Sequence, residues 1–285
     1  MLVEMAGVGF TYMPGTPFEQ VALKSIDLSI SEGEFIGLIG PTGSGKSTLI
    51  QHLNGLLTPT EGKIIFRGQE VGKDIELHSA QKEIGLVFQF PETQLFAETV
   101  AKDIAFGPKN LGLPVNEVES RVREAIESVG LDYRLYARRS PFGLSGGEKR
   151  LVAIAGVLAT KPRLLILDEP LSGLDLWGKT KVMQAISKLN KNGAAVVLVA
   201  HDMDEIVEHV GRVIVLNEGR VALDDKPEVV FTQIDYLRRI GLDVPKTVEL
   251  FIKLKERGFD IAPKSFNLRI VINTVLALAR EGQCL

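Results

Sequence analysis

Apolar residues along this chain follow two periods, and the periods alternate. Residues 2–30 read as antiparallel strands, Val3–Phe10 and then Val21–Ile30, where Ile26, Leu28 and Ile30 alternate with polar neighbours. Short apolar runs at Glu34–Ile39, Ile84–Gln89, Arg163–Asp168, Ala194–Ala200 and Arg212–Asn217 predict buried strands, the last of these being the final core strand. Gly62–Gly68 reads as a strand between turns. The helical period appears in Ser47–Asn54, in Lys149–Thr160, and in Val115–Val129, where Val115, Val118, Val122, Ile126 and Val129 share one face and charges the other.

From about Gln94 to Thr160 the helical pattern interrupts a strand-rich α/β sequence, which predicts an inserted helical subdomain, residues 94–160. Beyond Asp224 short helices are predicted at Pro227–Thr232, Ile234–Ile240, Pro245–Arg257 and Leu268–Arg280. Extended breaks fall at Leu242–Pro245 and Phe259–Pro263. The expected organisation is an α/β domain over 1–224 and a helical appendage over 225–285. The apolar faces of the appendage either complete the core or meet a partner, and a partner surface is favoured.

Between the first buried strand and its helix lies Gly40-Pro-Thr-Gly-Ser-Gly-Lys-Ser-Thr48, which fits the phosphate-binding pattern Gly-x-x-x-x-Gly-Lys-[Ser/Thr]. Successive N–H groups of Gly40, Pro41, Thr42, Gly43, Ser44, Gly45, Lys46, Ser47 and Thr48 (proline excepted) would wrap the α- and β-phosphates. Only a glycine-rich loop allows that approach without Cβ clashes. Lys46 supplies a point charge to the β/γ-phosphates, and the Ser47 hydroxyl faces Mg²⁺. The dipole of the following helix adds to the anion site.

Composition narrows this picture. The 285 residues are 45% hydrophobic and 24% charged, ordinary for a globular chain that buries a core. A formal net charge of −3 argues against a nucleic-acid partner held by bulk electrostatics. The single cysteine, Cys284, excludes a disulfide framework and makes a reducing cytoplasm the natural compartment. The N-terminus lacks the basic-then-apolar pattern of a signal peptide. No apolar run approaches the roughly 18 residues of a membrane span. The chain is therefore expected not to cross a membrane by itself.

Further candidate chemistry sits at strand and helix ends. Asp168 closes an apolar strand and is expected to bind Mg²⁺ through water, while Glu169 polarises a water in line with the γ-phosphate. Gln89, also placed at a strand end, is either solvated or able to reach Mg²⁺ or the attacking water. Tyr12, in the loop Thr11–Phe18, either packs or stacks on adenine. His201 is either structural or a γ-phosphate contact at the edge of a parallel strand. Leu144-Ser-Gly-Gly-Glu148 opens a helix with Ser145 as N-cap. Gly146 and Gly147 leave N–H groups free for close approach, a second anion site.

In this order, the pieces resemble an ABC-transporter ATPase over about residues 2–222. The phosphate loop is Gly40–Thr48, the Q-loop glutamine Gln89, the signature Leu144–Glu148, the Walker B strand Leu164–Asp168 with Glu169, the D-loop Ser172–Asp175 and the switch histidine His201. The segment Val87-Phe-Gln-Phe-Pro-Glu-Thr-Gln-Leu-Phe96 narrows the resemblance to energy-coupling factor (ECF) transporters and the related cobalt and nickel importers. The Tyr12–Leu23 loop and the appendage are most similar to the second, A′, ECF ATPase. The resemblance implies a P-loop α/β core with an antiparallel β-subdomain, an inserted helical signature subdomain and a C-terminal helical appendage. It implies ATP and Mg²⁺ as cofactors and favours adenine stacking for Tyr12.

It also implies a head-to-tail dimer with a second ABC ATPase, a heterodimer being favoured over a homodimer. There Tyr12, Gly40–Thr48, Gln89, Asp168, Glu169 and His201 serve one nucleotide, and Ser145, Gly146 and Gly147 close over the partner's. A membrane coupling protein would dock near Phe90–Phe96, a small substrate-binding membrane subunit would complete an importer at the cytoplasmic face of the membrane, and the appendage would strengthen ATPase–ATPase contact. The rivals are a dedicated cobalt or nickel importer ATPase, a soluble repair or translation ATPase, and a regulatory module that binds ATP without turnover. Sustained heptads and paired cysteines of repair ATPases are absent from the sequence. Intact Glu169 and His201 count against the regulatory module.

Overall fold

The computed structural model describes residues 1–200, 202–257, 266 and 268–280. His201, Cys284 and the break expected at Phe259–Pro263 lie outside the described residues. The strands are β1 (Val3–Tyr12), β2 (Gln20–Ile30), β3 (Phe35–Ile39), β4 (Glu61–Phe66), β5 (Gln69–Glu70), β6 (Ile84–Val87), β7 (Leu164–Asp168), β8 (Ala195–Val199), β9 (Arg212–Asn217) and β10 (Arg220–Asp225). The first half of the helices comprises α1 (Lys46–Leu53), α2 (Leu77–Gln81), α3 (Val100–Ile104), α4 (Phe106–Asn110), α5 (Val115–Ser128) and α6 (Tyr133–Tyr136). The second comprises α7 (Gly146–Leu158), α8 (Leu176–Lys191), α9 (Met203–His209), α10 (Pro227–Val230), α11 (Ile234–Arg239), α12 (Lys246–Glu256) and α13 (Leu268–Arg280). A 3₁₀ turn spans Pro91–Gln94.

Two sheets form the frame. One is antiparallel, in the order β2-β1-β4-β5; the other runs β10-β9-β3-β8-β7-β6, parallel except where β10 returns against β9. The central strands are continuous apolar runs because both of their faces are covered. Along β7 the side chains alternate between two cores. Leu164 and Ile166 join the one shared with β1, β2 and α1, while Leu165 and Leu167 join the one built with α5, α7 and α8. The two-residue side-chain period thus ties the antiparallel sheet and the helical layer to opposite faces of one parallel sheet. The expected α/β architecture, with an antiparallel sheet and a helical insertion, is the one observed.

Three element boundaries differ from the expected spans, and the appendage packs partly into the core. The last core strand is β10, which turns back from β9 through Glu218 and Gly219, both at positive φ, 48° and 77°. That backbone is the two-residue hairpin type normally signalled by Asn-Gly or Asp-Gly, and glutamate in the first place concealed it. Strand β6 stops at Val87, so Gln89 sits in an exposed bend beyond it. The signature helix starts at Gly146, directly after the expected N-cap Ser145 and ahead of the Lys149–Thr160 period, because Ser145 and Glu148 form a reciprocal capping box that holds both glycines in the first turn. After β10, Val230, Phe231, Leu237, Val248, Phe251, Phe266 and Val271 join the core of α5, α7 and β7, so the appendage does complete the core. Leu268, Ile272 and Leu276 of α13 remain exposed on another face.

Candidate functional site

The loop between β3 and α1 is pressed into the fold from beneath. A Cβ at Gly40 would come within 2.2 Å of the Leu216 carbonyl oxygen, and one at Gly45 within 2.7 Å of the Ala22 carbonyl oxygen. Both neighbours are backbone and cannot swing aside, so glycine is obligatory there. Gly43, at φ 78°, has open space where a Cβ would point. Ser44 is buried, and its N–H donates to the Pro41 carbonyl at 3.2 Å. Gly40, Pro41 and Ser44 therefore build the floor. Thr42, Gly43, Gly45, Lys46, Ser47 and Thr48 line an open cleft of about 640 Å³.

Tyr12, Gln89, Asp168 and Glu169 line the same cleft. Four separate elements thus deliver the phosphate loop, Tyr12, Gln89 and Asp168-Glu169 to the carboxyl-end crest of the parallel sheet, where ligands of open α/β sheets bind, while His201 lies outside the described residues. Lys46 Nζ donates to the carbonyl oxygens of Gly40 at 2.6 Å and Pro41 at 3.0 Å, holding the ammonium over the loop. Burial pulls the Lys46 pKa below its ordinary value, and the charges of Asp168 and Glu169 only partly oppose this. Glu169 adopts a left-handed backbone, φ 49°, with its N–H donating to the Val199 carbonyl at 3.0 Å. A non-glycine residue held there carries strain, which clusters at functional sites.

Tyr12 is fixed at both ends. Its hydroxyl lies 3.1 Å from Thr48 Oγ1, and its ring meets Phe10 edge-on at 4.8 Å. Phe10 in turn meets His52 edge-on at 4.7 Å, and His52 Nδ1 donates to the Thr48 carbonyl at 2.7 Å. Burial lowers the His52 pKa, against the hydrogen bonds that raise it, and donation to a carbonyl puts a proton on Nδ1. Phe10, His52 and Glu218, which also lines the cleft, escaped the sequence reading. His52 lies one helical turn after Thr48, the only hint of its place beneath the loop.

The signature residues are elsewhere. Ser145, Gly146 and Gly147 are absent from the lining of the cleft, and Ser145 and Gly146 are exposed. Ser145 Oγ accepts from the Glu148 N–H at 3.3 Å, and Glu148 Oε2 accepts from the Ser145 N–H at 2.8 Å. Tyr136 donates to Glu148 Oε1 at 2.6 Å; this bond and the cap hold the Glu148 pKa down. The N-terminus of α7 is therefore a rigid, outward-facing set of N–H groups without a nucleotide loop of its own.

Ser47, Gln89 and Asp168 offer hydroxyl, amide and carboxylate oxygens on one cleft, the donor type that hard divalent cations prefer. Among the described residues no group of three or more His, Cys, Asp or Glu could hold a metal alone. Among them too, no helix is long and apolar enough to cross a membrane.

Comparison with known proteins places these features in a family. The ABC transporter family profile matches residues 23–172. The energy-coupling factor transporter ATP-binding protein EcfA2 of Clostridium perfringens is 46% identical over 284 residues, covering 99% of this chain and 100% of that one. The solved structure of cbiO1 from Clostridium perfringens, part of the ABC transporter complex cbiONQ, superposes with a TM-score of 0.71 at 35% identity, over 88% of this chain and 98% of that one. The ATP-binding cassette MJ0796, as a post-hydrolysis dimer bound to ADP and Pi, gives 0.71 at 32% identity, over 79% and 98%.

Proposed function

The chain belongs to the ABC transporter family of ATPases, in its energy-coupling factor group, and from that premise we propose how its residues power an importer. It is the ATP-binding and hydrolysing subunit, with Gly40–Thr48 cradling the phosphates and Lys46 leaving its own loop carbonyls to meet the β/γ-phosphates. Tyr12, already braced by Phe10 and Thr48, presents its ring to adenine. Ser47, Asp168 and Gln89 would hold Mg²⁺ directly or through water, and the ion would supply positive charge against the charge that develops in phosphoryl transfer. Glu169 orients and polarises the attacking water, and its strained backbone sets the carboxylate's aim. His201 is assigned to the γ-phosphate on the family motif alone.

One observation carries this reading: the phosphate loop and the carboxylates share one cleft, while the exposed signature residues Ser145 and Gly146 lie outside it. A single copy therefore supplies most of one site and a fragment of a second. A head-to-tail pair with another ABC ATPase completes both, and the family resemblance favours a heterodimer over a homodimer. Phe90, Phe96 and Phe106 are exposed, the last two packed edge-on at 5.0 Å beside a groove of about 390 Å³. We assign that groove to a helix of a membrane coupling protein, which would hold this ATPase at the cytoplasmic face and act on a small substrate-binding membrane subunit. The exposed stripe on α13 suits contact with the other ATPase. The full-length relatives named as energy-coupling factor ATP-binding proteins favour the energy-coupling factor reading over a dedicated cobalt or nickel importer.

Replacing Ser145 by Arg tests the trans arrangement. The variant should keep nucleotide affinity at its own Lys46 site and lose hydrolysis at the partner's site, read by nucleotide binding to the single chain and turnover of the pair. Loss of binding at its own site would contradict the head-to-tail assignment.

A further inference from the structure

Arg150 lies on the second turn of α7 and is 5% exposed. Its Nε and Nη2 donate to Glu92 Oε2 at 3.0 Å and Oε1 at 3.2 Å, a two-pronged pair across 58 residues of chain. Glu92 is in the 3₁₀ turn Pro91–Gln94, directly after Phe90. The Phe90 ring centroid is 5.9 Å from the guanidinium carbon, and the Phe90 backbone is left-handed at φ 64°. The same guanidinium borders the turn before α8: Nη1 is 3.5 Å from where a Cβ on Gly173 would stand. One side chain therefore touches the docking turn and the Ser172–Asp175 turn, and stands on the helix that carries the signature glycines.

The chemistry makes this junction stiff. A planar guanidinium matches a carboxylate in two parallel bonds, which fixes angle as well as distance. Pulling the carboxylate away would strand a buried cation, a strongly unfavourable state. Glu92 therefore moves with Arg150, and Arg150 moves with the α7 backbone five residues beyond Ser145.

We propose that Arg150 is a positioning residue that, through Glu92, makes the docking turn and the signature helix move as one body. The proposal rests on the transporter reading given above. A displacement delivered at exposed Phe90 and Phe96 then re-aims the N–H groups of Gly146 and Gly147 toward the partner's nucleotide, and closure there is returned to the docking surface by the same route.

Two readouts test it in the full chain within the complex it co-purifies with. In amide hydrogen exchange, ATPγS should slow exchange in both 91–94 and 146–150 of the native protein, whereas in Arg150→Met the response at 146–150 should persist and that at 91–94 should vanish. In vesicles, substrate moved per ATP hydrolysed should fall about tenfold in Arg150→Met and in Glu92→Gln, a typical coupling between sites. The double variant should be no worse than either single one. Joint protection surviving in Arg150→Met, no joint protection in the native protein, or additive losses in the double variant would overturn the linkage. Should exchange be linked while native vesicles move no substrate, the transporter reading fails and the linkage stands.

Discussion

In the proposed reaction Glu169 and Lys46 bear most of the chemistry, and each is set by its surroundings rather than by its type. Glu169→Gln keeps the shape of the side chain but cannot polarise water. ATP binding should persist while turnover drops by about a hundredfold or more, and the ATP-bound pair should stay closed in size-exclusion chromatography. Near-normal turnover would remove Glu169 from its role. Lys46 has its pKa lowered by burial in the free protein, and bound phosphates would raise it again. In the alkaline window between the free and bound values, ATP binding should take up a proton and affinity should weaken as pH rises. Calorimetry in two buffers of different ionisation enthalpy reads that uptake, and its absence at alkaline pH would contradict the placement of Lys46 on the phosphates. The loop residues and Asp168-Glu169 were legible from the sequence because fixed spacing carries their chemistry. Arg150 and Glu92 were not, since a pair 58 residues apart leaves no local pattern.

Helices and strands hold those residues in place through close contacts that glycine permits. On β6, a Cβ at Gly85 would come within 2.7 Å of Val157 Cγ1 on α7 and 3.0 Å of Pro162 Cγ. Gly85→Ala should therefore overpack the joint between the sheet and the signature helix and destabilise the fold by about 1–3 kcal/mol, measured by denaturant unfolding. An unchanged midpoint would mean that α7 yields easily, contrary to the stiffness argued for it. At this scale the periodic segments were the readable ones. Helix α5 buries Val118, Val122 and Ile126 as its spacing predicts, but Val115, its first residue and part of the same expected face, is exposed; β7 is the expected run. For α7 the N-cap Ser145 was legible but the helical period reads only from Lys149, because glycine propensity argues against helix at Gly146 and Gly147, and the Ser145–Glu148 capping box and the Tyr136 bond outweigh it. The β9–β10 hairpin was missed for a related reason, its turn being made by a glutamate in a backbone that normally takes asparagine or glycine.

Across the whole molecule, the signature residues lie outside the cleft that the phosphate loop and the carboxylates share, and this separation is the main argument for a pair of ATPases. The sequence pointed to that pairing only through family resemblance, since nothing in residue spacing says which way a helix end will face. It favoured a partner surface for residues 225–285, and the fold shows why that contrast was too sharp: Val271 on α13 is buried in the core while Leu268, Ile272 and Leu276 stay exposed. An amphipathic pattern records that a face is apolar, not which neighbour covers it. The most direct test of the account is purification of the chain from detergent-solubilised native membranes, with every companion identified by mass. The account predicts a second, distinct ABC ATPase together with a multi-span coupling protein, and small membrane subunits that point to the substrates. Recovery only as a soluble homodimer, with no membrane protein, would contradict it.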